Sequence, residues 1–184
     1  RSVSIASLGP EIKAKTLVVN GVSKAYAMTG WRIGYTSGDK TIIEAISNLQ
    51  DHSTSNPTSI AQRAALAALT GPQEAVSQME REFSKRRDYM IERLNRIPGI
   101  TCLKPEGAFY AFPNVSGIIG RSYKGRRIGS SMDLTELLLT EARVAVLPGS
   151  PFGAENYLRL SYATSMKNIA AGLDRIEEFV SRTE

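Results

Sequence analysis

The sequence has a single cysteine, Cys102, and a single histidine, His52. A lone cysteine rules out an internal disulfide framework and fits a reducing compartment. Zinc sites draw three or four nitrogen, sulfur or carboxylate ligands at close spacing, so one His and one Cys argue against a metal centre. No apolar run approaches the roughly 20 residues that a membrane-spanning helix needs. The opening string RSVSIASLGPE carries no apolar signal-peptide core. Internal repeats and low-complexity tracts are missing too. The excess of positive charge is mild, +5. One basic cluster, Lys85 to Arg87, has Glu80 and Glu82 close by and reads as a mixed, solvated helix face. The other, Lys124 to Arg127, falls in a glycine-containing loop. Nucleic-acid binding asks for a basic surface with a recognisable module or an aromatic stacking platform, and this sequence offers neither. We therefore expect no metal, no nucleic acid and no membrane as partners.

What is present is ordinary globular composition, 42% hydrophobic and 22% charged over 184 residues, enough for one sizeable core or two small ones. Lys15 to Asn20 and Arg32 to Thr36 read as short strands. Asp39 is a plausible N-cap for a helix over 40–50, with Ile42, Ile43, Ile46 and Leu49 at helical spacing. Pro57 stands where a first helical residue is expected, opening an Ala-rich helix over 58–70 that Gly71-Pro72 stops. A helix over 73–97 follows, carrying a stripe from Val76 to Ile97 that ends at Pro98-Gly99. At about 25 residues it would be about 37 Å long, enough to connect two domains.

Beyond it the pattern changes. Short strands at 101–103, 108–112, 144–147 and 157–163 alternate with helices near 133–141 and 167–181, as in a compact α+β layer. The boundary is placed near residue 75, giving segments 1–75 and 76–184. The first segment offers only two strands, and a two-stranded sheet is marginal alone. Either it joins a sheet supplied by other polypeptide, or the chain is a fragment.

Four strings point to a family. VNGVSKAYAMTGWRIGY, from Val19 to Tyr35, resembles the lysine segment of class I/II, fold-type I pyridoxal-phosphate aminotransferases. KPEGAFYAF, from Lys104 to Phe112, is similar to that family's small-domain strand pair. NYLRLSYA, from Asn156 to Ala163, is similar to its carboxylate-binding strand. HSTSNPTSIAQ, from His52 to Gln62, resembles a stretch of the bacterial aspartate aminotransferase subgroup. The resemblance runs the whole length, in order and with family-like spacing. It implies an α/β protein: the C-terminal part of the cofactor-binding large domain over 1–75, its three-layer α/β/α sheet incomplete here, followed by the connecting helix and a small α+β domain over 76–184. The family's upstream glycine-rich phosphate turn, its Asn, its pyridine-pairing aspartate and its ring-oxygen tyrosine have no counterpart in this sequence. The chain is thus expected to be the C-terminal half of such an enzyme.

The resemblance also assigns roles. Lys24 is the candidate Schiff-base lysine for pyridoxal 5'-phosphate. An amine attacks an aldehyde only when deprotonated, and once released it can carry the substrate Cα proton. Arg32, eight positions on, is the candidate phosphate ligand, because a guanidinium forks onto phosphate oxygens and stays charged. Ser23 could add a hydroxyl there; many relatives carry another hydroxyl three residues before the lysine, where this chain has Gly21. Arg159 is the candidate clamp for the substrate carboxylate, a charge in an apolar strand that needs a planar anionic partner. Read without the resemblance, Lys24 and Arg32 are solvated loop charges, and Arg159 is an edge-strand arginine.

Asn56 and Thr58 could reach a second subunit's site or simply cap a helix. Phe152 could line the substrate pocket or pack in the core. His52 reads as a local loop partner and Cys102 as a small apolar group. The implied function is a cytoplasmic, homodimeric transferase of amino-acid metabolism. It would move an amino group between an amino acid, aspartate or glutamate, and a 2-oxo acid by a ping-pong cycle. The alternatives are an aromatic amino acid, prephenate or other class I/II transaminase, a lyase using the same cofactor, or a non-catalytic piece.

Overall fold

The computed structural model describes residues 3–184. They gather into two compact units, one ending at Ser77 and one running from Gln78 to Glu184. In the first unit Pro10 opens a short helix α1 (Pro10–Ala14), at a position where its missing N–H costs no hydrogen bond. Strand β1 (Val18–Gly21) pairs antiparallel with β2 (Gly34–Ser37), Val18 opposite Ser37 and Gly21 opposite Gly34. The backbones come close at that last pair: a Cβ on Gly34 would lie 3.1 Å from the Asn20 carbonyl oxygen. The ladder thereby closes the loop 22–33 into a single hairpin-like excursion.

Helix α2 (Lys40–Ser53) starts at Asp39, whose carboxylate accepts the Thr41 and Ile42 N–H groups. Helix α3 (Ser59–Thr70) starts at Thr58, whose hydroxyl accepts from the Ala61 N–H. Pro57 therefore precedes the cap rather than opening the helix, because the Thr58 hydroxyl is the group that satisfies the first turn. Among the described residues of this unit, the buried apolar side chains are Val22, Ala61 and Ala65 alone. The stripe of α2 faces solvent, with Leu49 72% exposed.

The division between the units falls within α4 (Glu74–Leu94). This helix stops three residues short of the expected Ile97 because Asn95 binds elsewhere. Its Nδ2 donates to the Cys102 carbonyl, and its Oδ1 accepts the Cys102 N–H at 2.8 Å. The same clamp explains why 101–103 is no strand. Cys102 spends both backbone groups on Asn95, leaving one bridge between Thr101 and Asn114. Burial pushes the Cys102 thiol pKa up.

The second unit continues with β3 (Tyr110–Ala111), β4 (Ser122–Tyr123), β5 (Arg126–Arg127), α5 (Ser131–Thr140), β6 (Leu147–Pro148), β7 (Leu158–Ser161) and α6 (Met166–Ser181). Strands β4 and β5 form a hairpin inside what the sequence presents as a loop. Its turn residues Lys124 and Gly125 both take positive φ, 49° and 79°, the twist a two-residue hairpin turn favours. Lys124 pairs with Glu141, and Arg126 grips Glu136 through both terminal nitrogens. The main sheet has the order β3-β7-β6, antiparallel throughout. Leu158 and Leu160 of β7 point into a core built with Met90 and Leu94 of α4, Leu134 and Leu138 of α5, and Leu173 and Ile176 of α6. Arg93 ties α4 to α6, bonding Asp174 and Glu177 at 2.6 and 2.9 Å and the Tyr89 hydroxyl at 2.9 Å.

Candidate active site

Loop 22–33 begins with buried Val22, which fixes its root under the β1–β2 ladder. Ser23 is half-buried and Lys24 exposed. The chain turns at once: the Ala27 N–H returns to the Lys24 carbonyl, and the Tyr26 N–H to the Val22 carbonyl. The Tyr26 hydroxyl anchors the turn to the Gln73 side chain at 3.0 Å. A single 3-10 turn, Thr29–Trp31, follows, and Arg32 ends it in the left-handed region with φ 51°. The Arg32 guanidinium donates through Nη1 to the Thr29 carbonyl at 3.0 Å. Among the described residues no carboxylate forms an ion pair with it, so donors remain for an anion. The close Gly21–Gly34 pairing brings both ends of this loop together.

The structure therefore gathers Lys24, Ser23 and Arg32 on one closed loop of the first unit. Arg159 belongs to the second unit, at the centre of its sheet. On β7 alternation sends Leu158 and Leu160 inward and leaves Arg159 and Ser161 on the other face. That face forms a shallow hollow with Tyr110, Val146 and Leu147. The Arg159 guanidinium carbon stands 4.5 Å from the Tyr110 ring centroid and 4.6 Å from that of Phe152. Phe152 was open to a pocket or a core role on sequence alone; it is half-exposed and stacks on this arginine. Tyr110 was missed. The signal available was alternation in the GAFYAF string, but it needs the cross-strand register, Tyr110 opposite Ser161, to be read. Asn56 donates to the Pro57 carbonyl and Thr58 caps α3, so both serve the local backbone here. His52 is exposed in the last turn of α2.

The donor set on the loop suits pyridoxal phosphate at its two ends. A primary amine matches the aldehyde, and a guanidinium with open N–H groups matches the phosphate.

This architecture and donor set define a class. The chain belongs to the family described as aminotransferase class I and II, which matches it over residues 2–176. It is 51% identical over 180 residues to an aspartate aminotransferase of Geobacillus stearothermophilus, covering 98% of this chain and 45% of that protein. It is 48% identical to a probable aspartate/prephenate aminotransferase of Rickettsia conorii, covering 96% of this chain and 44% of that one. Among solved structures, the aspartate aminotransferase of Rhizobium meliloti superposes with a TM-score of 0.96 at 45% identity, over all of this chain and 46% of its own. The aromatic aminotransferase of Pyrococcus horikoshii superposes with a TM-score of 0.87 at 39% identity, over 98% of this chain and 47% of its own. The fold is thus that of pyridoxal-phosphate-dependent aminotransferases, and the chain spans about half the length of the relatives it matches.

Proposed function

We propose that this chain is the lysine- and arginine-bearing half of a pyridoxal-phosphate-dependent aminotransferase that exchanges an amino group between aspartate or glutamate and a 2-oxo acid. The observation that carries the reading is the closed loop 22–33, which presents an amine and a guanidinium from one short excursion. In this reading the first unit is the C-terminal part of the cofactor-binding domain and the second is the small domain. The cofactor, when bound, supplies an aldehyde for amines and an electron sink for the substrate Cα. Lys24 holds it covalently at rest, then carries a proton from the substrate Cα. Arg32, with Ser23 beside Lys24, holds the phosphate. Arg159 takes the substrate carboxylate as a planar fork and so aims the Cα–H bond. Amine in and 2-oxo acid out, then the reverse, makes the cycle ping-pong.

Aspartate is favoured by the names of the relatives, while prephenate and aromatic amino acids are the second reading, carried by the Rickettsia and Pyrococcus proteins. A cytoplasmic homodimer fits the lone buried cysteine and the polar 52–58 stretch. Further polypeptide of the same enzyme completes the cofactor site, a reading supported by the apolar surface the first unit leaves in solvent.

The test is reductive trapping. The purified chain is incubated with pyridoxal phosphate, reduced with borohydride and mapped by peptide mass. Label concentrated on the peptide holding Lys24, and lost in Lys24→Ala, is the expected result. Label spread equally over exposed lysines such as Lys13 and Lys40 would overturn the assignment.

A further inference from the structure

Arg159 is positioned in an uncommon way. An arginine lying partly buried in a sheet is ordinarily held by a carboxylate, but among the described residues none pairs with it, nor does any hydrogen bond use its guanidinium. Two aromatic rings hold it instead, at 4.5 and 4.6 Å from the guanidinium carbon. Each ring is itself fixed. Tyr110 is locked by the β3–β7 register opposite Ser161. Phe152 closes the 3-10 turn Ser150–Phe152, where its N–H returns to the Gly149 carbonyl at 2.8 Å. Gly149 in turn has no room for a side chain, since a Cβ would meet the Ala154 carbonyl oxygen at 2.0 Å. Behind Phe152, the Phe112 ring packs edge-on at 6.3 Å and 89°.

We propose that Tyr110 and Phe152 are positioning residues that hold the Arg159 fork for a carboxylate without consuming it. The physical reason is the difference between two ways of anchoring a cation. A carboxylate anchor would occupy the N–H groups that substrate needs and would cancel their charge. Aromatic faces attract the cation through their quadrupole and offer no competing acceptor in the fork's plane. The guanidinium is thereby held in place while its edge donors stay open to a carboxylate. The inference rests on reading Arg159 as the carboxylate ligand, and the experiment separates the two.

The chain, labelled with nitrogen-15, is titrated with succinate while the Arg159 Nε–Hε resonance is followed. In the native chain this proton resonates under the ring currents of both aromatics and shifts with succinate; Arg159→Met removes the resonance and the binding. Phe152→Leu and Tyr110→Leu, each with an otherwise native amide spectrum, are expected to move the resonance and weaken succinate by about three- to tenfold. Phe152 is half-exposed, so its replacement spares the core. Phe152→Tyr, which keeps a ring, restores the affinity to within about twofold. Succinate binding that depends on Arg159 but is unchanged in both leucine variants would overturn the proposal and leave the ligand reading standing. Succinate binding unaffected by Arg159→Met would remove the ligand reading and the proposal with it.

Discussion

Arg32 combines backbone strain with the phosphate-ligand role proposed for it. Its φ of 51° lies in the left-handed region, which costs a residue with a side chain on the order of 1 kcal/mol and which glycine occupies freely. The guanidinium's one local bond, from Nη1 to the Thr29 carbonyl, is exposed and contributes little net stability, and the donors it leaves open are those a phosphate ligand would use. Local stability and ligand affinity should therefore move in opposite directions on substitution. Arg32→Gly is expected to leave the loop as stable as before, or more stable by up to about 1 kcal/mol, while lowering affinity for pyridoxal phosphate at least about tenfold. Trp31, the only tryptophan in the chain, stands next to the site and reports both quantities by fluorescence, in urea and in a cofactor titration. A variant that loses stability but keeps affinity would contradict the phosphate role.

At the scale of elements, α2 and α6 make the instructive pair. Both carry an apolar stripe at helical spacing behind a side-chain cap, Asp39 for one and Ser165 for the other. In α6 the stripe is buried, with Leu173 1% exposed, whereas in α2 Leu49 stays in solvent. Leu173→Ala should cost about 2–5 kcal/mol in a denaturant melt, and Leu49→Ala in the isolated chain should fall within about 0.5 kcal/mol of native. Equal costs would mean that α2 has packed.

The pair also shows what a sequence can disclose. Caps and 3.6-residue spacing are local, so α2, α3, α5 and α6 could be read to within a few residues. Which stripe is covered depends on distant chain and could not. The short strands were harder still. Two-residue pairings such as Tyr110 with Ser161, or the Asn95 clamp that prevents a strand at Cys102, exist only through partners far along the chain. The site divides in the same way. The loop carrying Lys24 and Arg32 is one contiguous string that can be read locally, while the rings around Arg159 come from two separate segments and meet it only through the fold.

For the whole molecule the decisive contrast is between its two units. The second has a continuous core spanning three helices and the sheet. The first buries Val22, Ala61 and Ala65 and leaves Val19, Leu49 and Ile60 more than 70% exposed. Burial of apolar area is the main favourable term in folding, and three small or medium side chains supply little of it against the entropy of ordering the backbone. The second unit should therefore behave as the stable part and the first as the part that opens first. Amide hydrogen exchange on the purified 184-residue chain is expected to show low protection through α2 and α3 and high protection through α5 and α6. The consequence for activity follows from the same surface. Lys24 and Arg32 are both exposed here, so the loop meets the cofactor from an open surface rather than from an enclosing pocket. The chain alone is accordingly expected to hold pyridoxal phosphate weakly and to give negligible transfer between aspartate and 2-oxoglutarate in a coupled assay. Robust turnover by the purified chain, together with strong protection of α2 and α3, would show that the first unit completes its own site and would overturn the reading that further polypeptide is required.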